Sequence, residues 1–242
     1  CPAIAAKKSD EPIKPSVQKA LDDAKRRLDD FEKKGHKLSS KFLKHYLGNS
    51  GEAVQISPEE IDSSKLYRKA IKTNQKRFED SMTKGVVDKT LFSGVKSEFR
   101  DEILAMKDGE TITLDNEKVK NTGDSWDRDI SRAKSMIVDP DHGRAIGAVK
   151  FRSLGELKAR RTGNTIVITG EVYHTINETY EFNDDTVIDK KIFGDYRHLE
   201  EQGHAKTFQI YGHKPQSVKG TLEIKNGRIT NSQFEWQDIK EE

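Results

Sequence analysis

Cysteine is almost missing from this sequence: of 242 residues one is Cys, and it stands first. A single thiol closes no disulfide within the chain, so no redox compartment is indicated, and cysteine nucleophiles are confined to Cys1. Long apolar runs are missing too. Those present, such as Ile166-Val167-Ile168, are strand-sized, well short of the roughly 18 residues of a membrane-crossing helix. Membrane contact would therefore be peripheral or through an attached lipid. Charge of one sign is not in excess either, with 43 Lys and Arg against 41 Asp and Glu. That balance argues against a dedicated nucleic-acid binder, which carries a clear basic surplus on one face. Also absent are a Gly-x-Ser-x-Gly elbow, a P-loop, a Gly-x-Gly-x-x-Gly turn after a strand and a His-Glu-x-x-His helix. No cofactor and no metal site are expected.

What is present is polar. Apolar residues make up 33% of the chain and charged residues 35%, so the core is thin or part of the chain is solvated. Residues 1–14, with Pro2, Pro12 and the Lys7-Lys8 pair, have no periodic pattern and read as a tail or linker. From Ser16 onward Val17, Leu21, Ala24, Leu28 and Phe31 recur at helical spacing, and Gly35 ends the run. A second helix carries Leu38, Phe42, Leu43, Tyr46 and Leu47. Ser57-Pro58 with Glu60 forms a capping box that opens a third helical stretch running to Gly85. Phe92, Val95, Phe99, Ile103 and Met106 suggest a fourth helix. Thr111 to Leu114 suits a short strand. Trp126, Ile130, Ala133 and Ile137 suggest a fifth helix, capped by Asp124 or Ser125.

Near residue 140 the period changes from about 3.6 to 2. The expected fold is α+β: a mainly helical region over 15–140, then an antiparallel β-rich region over 141–242. One long strand spans Thr165 to Ile176, with Ile166, Ile168, Val172, His174 and Ile176 on one face. A short helix over Asp195 to Gln202 stops at Gly203, and Thr207 to His213 returns to strand. Asn226-Gly227 marks a hairpin between Val218–Lys225 and Arg228–Trp236. It sets Ile224 opposite Ile229, with a bulge expected near Asn231-Ser232.

His174 is the leading candidate for chemistry. On a buried face an imidazole is either a core group with its hydrogen bonds made or a group lining a cavity. As a general acid or base it would be oriented by Glu178, with Tyr180 at the strand end. A second cluster holds His198, Glu200, Glu201, His204 and Lys206. His198 and His204 are six apart and do not share a helix face. His204, after the terminating Gly203, also suits a helix C-terminus. In the catalytic reading His204 and Lys206 stabilise developing negative charge. Asn183-Asp184-Asp185 with Asp189 lacks the glycine and closing glutamate of a calcium loop. Arg144, in Asp141-His142-Gly143-Arg144, either binds an anion or is surface.

Several segments resemble C-terminal regions of bacterial polymorphic toxins, including those attached to Rhs-repeat proteins. They are Phe42–Gly51, Ala145-Ile146-Gly147, Val172-Tyr173-His174 with Tyr180-Glu181-Phe182, and Leu199–Phe208. The Asp-x-Tyr-Asp and His-Arg pattern of colicin-M-like enzymes is not found, so that activity does not carry over. The resemblance implies release from a larger secreted carrier, as in type VI secretion, delivery into a neighbouring cell and a cognate immunity protein. It implies no particular reaction. A chain that starts with Cys admits three readings: an arbitrary boundary, a lipoprotein maturation site or a proteolytic product.

Two functions follow as expectations. One is an antibacterial effector module, with enzymatic activity open; if enzymatic, a metal-independent hydrolase or transferase using His174. The other is a non-enzymatic envelope or surface binding protein anchored through Cys1.

Overall fold

A computed structural model describes residues 12–84, 86–87, 95–96, 99–115, 127–130, 132–182 and 187–240. Cys1, the start of the tail, Gly85, Phe92, Asp124, Ser125, Trp126 and the Asn183–Asp185 segment lie outside them. The chain divides into two compact units, one of residues 1–52 with 180–208 and the other of 53–179 with 209–242. This division runs differently from the sequence boundary near residue 140, because the chain leaves each unit and returns to it. The class is α+β, with helices in the first half and long strands in the second.

The first unit holds α1 (Pro15–Lys33), α2 (Lys37–Leu47) and, from later in the chain, α8 (Val187–Glu201). Helix α1 packs on both α2 and α8. Its apolar stripe of Val17, Ala20, Ala24 and Phe31 is buried, as the spacing requires. Helix α8 starts earlier than its pattern suggests. Its C-terminus is closed by the Gly203 N–H on the Glu200 carbonyl and the His204 N–H on the Leu199 carbonyl at 2.8 Å.

The second unit opens with β1 (Val54–Ile56), α3 (Pro58–Ser63) and α4 (Lys65–Thr83). The capping box is formed: Ser57 Oγ accepts from the Glu60 N–H and the Glu60 carboxylate accepts from the Ser57 N–H. A two-residue pair, β2 (Val86–Val87) and β3 (Val95–Lys96), precedes α5 (Arg100–Ala105) and β4 (Thr111–Asp115). The expected helix from Phe92 to Met106 is thus corrected: Val95 is strand and the helix is confined to its last turns. Val95 pairs antiparallel with Val87 instead. The helix expected from Trp126 to Ile137 is also corrected. Residues Asp127–Ile130 form β5, paired antiparallel with the start of β6 so that Ile130 faces Val149, and only α6 (Arg132–Val138) is helical. Tertiary pairing overrides a helical spacing this short.

After α7 (Pro140–Ile146) come β6 (Val149–Thr162), β7 (Thr165–Tyr180), β8 (Phe208–Lys225) and β9 (Arg228–Asp238). They build a seven-stranded sheet in the order β1-β8-β7-β6-β4, with β5 added to β6 and β9 to β8. All pairs are antiparallel except β1 on β8. The two strands expected over 207–213 and 218–225 are one continuous β8. Pro215 sits where pairing with β1 ends at Gly212 and pairing with β9 begins at Gln216, a place where a missing N–H is tolerated. At the β8–β9 turn Asn226 and Gly227 have φ of 52° and 70°, the left-handed conformation of a tight hairpin turn. Ile224 faces Ile229. The bulge lies at Thr230, since Glu223 pairs with Asn231.

One sheet face is covered by α4. Phe78 and Met82 from α4 meet Leu157, Ala159, Ile166, Ile168, Val172, Val218 and Leu222 from the strands, all buried. The alternation along β6, β7 and β8, interrupted at Pro215, puts these residues on one side and leaves the other side mostly to polar residues.

Candidate functional site

His174 sits on the helix-covered face of β7, fully buried, opposite its register partner Ser153 on β6. Its Nδ1 is 2.7 Å from Ser153 Oγ and its Nε2 is 2.9 Å from Gln216 Oε1 on β8. An amide oxygen only accepts, and this one also accepts from Gln75 Nε2 at 2.7 Å. Nε2 therefore carries the proton, and Nδ1 accepts from the Ser153 hydroxyl. Ser153 Oγ in turn accepts from Asn74 Nδ2 at 2.6 Å. On the far side Gln216 Nε2 donates to Asp238 Oδ1 at 2.8 Å. Lys214 Nζ donates to Asp238 at 2.9 Å and to both oxygens of Asp62 at 2.5 Å. The imidazole is also stacked on Phe151, with ring centroids 6.2 Å apart.

Burial pushes the His174 pKa down to about 4; the Gln216 hydrogen bond opposes this, the Lys214 charge adds to it and Asp238 opposes it. The ring is neutral at physiological pH, with both nitrogens engaged and no surface to meet a substrate. Its chemistry is that of a clamp holding β6, β7, β8 and α4 in register.

The other expected site residues have their own partners. Glu178 does not orient His174. Four residues along a strand span about 13 Å, and the Glu178 carboxylate instead accepts the Lys150 N–H of β6 at 2.7 Å. Tyr180 is buried in the first unit, with its ring 4.9 Å from Phe208 and 5.8 Å from both Phe42 and Tyr46. Burial raises the pKa of its phenol far above the ordinary value, with Tyr196 adding to the rise and Arg27 opposing it. His204 closes α8 through its backbone. Lys206 is exposed, and its N–H bonds the Tyr46 carbonyl at 3.0 Å. Its aliphatic stem lies against Gly51, where a Cβ would come within 2.6 Å of it. Tyr46 Oη donates to the Tyr196 carbonyl at 3.0 Å and lies 3.2 Å from Glu200 Oε2, and Asn49 Nδ2 donates to the Gly203 carbonyl at 2.8 Å. Phe42–Gly51, Tyr180–Phe182 and Leu199–Phe208, two of the segments resembling toxin regions and part of a third, lie together in one unit, whereas residues 145–147 and 172–174 lie in the other.

Spacing alone did not reveal the sheet face turned away from α4, the uncovered face, which no described helix covers. There Tyr173 and Tyr211 are 39% and 45% exposed. Tyr173 faces Leu154 across β6 and β7, its ring stands edge-on to His213 at 5.7 Å, and its hydroxyl donates to Glu171 at 2.9 Å. Beside it lies a shallow hollow of about 530 Å³, walled by Glu156, Lys158, Thr169 and Glu171. The available signal was the placement of Leu154, Val167, Tyr173 and Tyr211 at outward positions of otherwise polar strand faces.

His142, in the segment before β6, is buried in α7. Its Nε2 lies 3.3 Å from Ser63 Oγ, and its Nδ1 has no hydrogen-bond partner among the described residues. Burial lowers its pKa, against the pull of Asp139, Asp141 and Glu60. No group of three or more His, Cys, Asp or Glu among the described residues is placed to hold a metal ion. No helix among them is long and apolar enough to cross a membrane. Comparison with protein-family models, with curated proteins and with solved structures gives no match to this chain.

Proposed function

We propose that this protein is an effector module of a larger secreted polypeptide that acts by binding, through the uncovered face of its sheet, and that His174 serves the fold. The observation that carries the binding reading is the contrast between two neighbours on β7. His174 is sealed with its hydrogen bonds made, while Tyr173 projects into solvent beside Leu154, His213 and a shallow hollow. Half-exposed tyrosines on a rigid sheet provide contact area at small entropic cost, as binding hot spots do.

The effector context rests on the resembling segments, two of which and part of a third lie in one packed unit. In that context the partners are a carrier polypeptide and an immunity protein, and the site of action is a neighbouring cell.

The experiment expresses the chain in a bacterial cytoplasm and, separately, in the periplasm. Growth inhibition is expected in one compartment. It is expected to be lost in a Tyr173→Ala/Tyr211→Ala variant that keeps its circular dichroism spectrum. Normal growth in both compartments contradicts the effector reading. Inhibition untouched by the double substitution contradicts the role of the sheet face.

A further inference from the structure

Strand β9 is an edge: among the described residues it pairs with β8 alone, and none of its backbone groups bonds anything else. Such an edge presents a row of free N–H and C=O groups on every second residue. Edges are ordinarily guarded by proline, lysine or a bulge. This one has its bulge at Thr230, near one end, and beyond it Asn231–Phe234 carries neither proline nor charge.

Alongside the edge runs a groove of about 560 Å³ between β9 and α4. Ser232 pairs with buried Leu222 and so belongs to the helix-covered face, yet it is exposed, because the groove opens there. Phe234 provides an apolar patch on the strand side. On the helix side Lys76 and Lys84 both pair with Asp80, at 3.0 and 3.3 Å, so that wall compensates its own charge. Glu79 is tied to Trp236 Nε1 at 3.0 Å.

We propose that this groove takes an extended, charge-poor peptide segment of a partner protein, added to β9 as a further strand. Main-chain pairing supplies the binding energy and alternate side chains enter the groove, as in strand addition generally. The lining selects the occupant: Asn231–Phe234 brings no charge and the lysines of the helix wall are already paired with Asp80, so a charge-poor strand fits the groove without breaking those ion pairs. This site is separate from the uncovered sheet face and does not depend on it.

The test pans random displayed peptides of about ten residues against the full chain and resynthesises the enriched sequence. Binding is read by fluorescence anisotropy, and hydrogen exchange follows the β9 amides. Enrichment of charge-poor sequences is expected, with binding weakened about tenfold or more by N-methylation of alternate peptide amides. Thr83→Arg, which fills the groove, is expected to weaken binding similarly, and exchange over Asn231–Asp238 is expected to slow in the complex. Failure to enrich any peptide overturns the proposal. So does binding indifferent to N-methylation, or sedimentation showing that a second copy of the chain already pairs with this edge. The N-methylated peptide is tested on the unaltered protein, so a misfolded variant does not blunt the result.

Discussion

Ser153 and His174 face one another across β6 and β7, hydroxyl to imidazole, 2.7 Å apart in a dry interior. A serine and a histidine at that distance have the geometry of a nucleophile and its base. The remaining partners decide otherwise. Asn74 donates to the same serine oxygen, and Gln216 takes the imidazole proton. The pair is a locked link in a core network.

Removing the imidazole therefore tests stability before activity. His174→Ala takes one hydrogen bond each from Ser153 and Gln216, leaving the Ser153 hydroxyl proton and one Gln216 acceptor site to find new partners, and opens a cavity among buried neighbours. A loss of about 2 to 4 kcal/mol in urea denaturation is expected. A variant as stable as the parent would show that the network holds nothing.

The same histidine gives the stability a pH dependence of known sign. Folded, its pKa is held down at about 4 by burial; unfolded, it returns to about 6.5. Above that value both states are neutral there and the contribution is fully present. As pH falls from about 6.5 toward 4 the unfolded chain takes up a proton that the folded chain refuses, and about 3 kcal/mol is lost. Urea midpoints between about pH 7.5 and 4.5 should fall accordingly, with a shallower slope in His174→Gln.

Lys214 anchors the far end of the network. Burial alone would lower its pKa, but the Asp62 and Asp238 carboxylates prevail and raise it. Those carboxylates are 40% and 55% exposed, so water screens the loss of their partner. Lys214→Met is expected to cost about 1 to 2 kcal/mol, read by chemical denaturation. The cost should shrink when Asp62→Asn is added, since the two changes share one interaction.

In the first unit Tyr46→Phe removes a buried hydroxyl that bonds the Tyr196 carbonyl and Glu200. A loss of about 1 to 2 kcal/mol is expected. Hydrogen exchange of α8 should quicken, because that hydroxyl pins the helix to α2. Unchanged exchange there would contradict the assignment.

Gly227→Ala tests the hairpin. Its φ of 70° disfavours any side chain, so about 1 kcal/mol of destabilisation is expected by thermal denaturation.

Local chemistry was readable from sequence wherever it acts within a few residues. The Ser57–Glu60 box, the Gly203 stop and the Asn226-Gly227 turn each join neighbours in the chain, and each is formed. The placement of His174 among Ile166, Ile168 and Val172 was equally legible from alternation. Its partners were not. Ser153 and Gln216 are 21 and 42 residues away, and alternation assigns a face without fixing which strands pair or in what register. For the same reason the uncovered face of Tyr173 and Tyr211 emerged only once β6, β7 and β8 were set side by side. Ile130 had a helical spacing and became strand because β6 offered it a partner.

The central claim, that His174 is a neutral structural group, is tested most directly by nitrogen-15 NMR of its ring from about pH 7.5 down to about pH 5. The structure predicts a proton on Nε2, a bare Nδ1 and no titration across that range. A ring that titrates near its ordinary value, or that carries its proton on Nδ1, would contradict the account and return His174 to candidacy as an acid–base group.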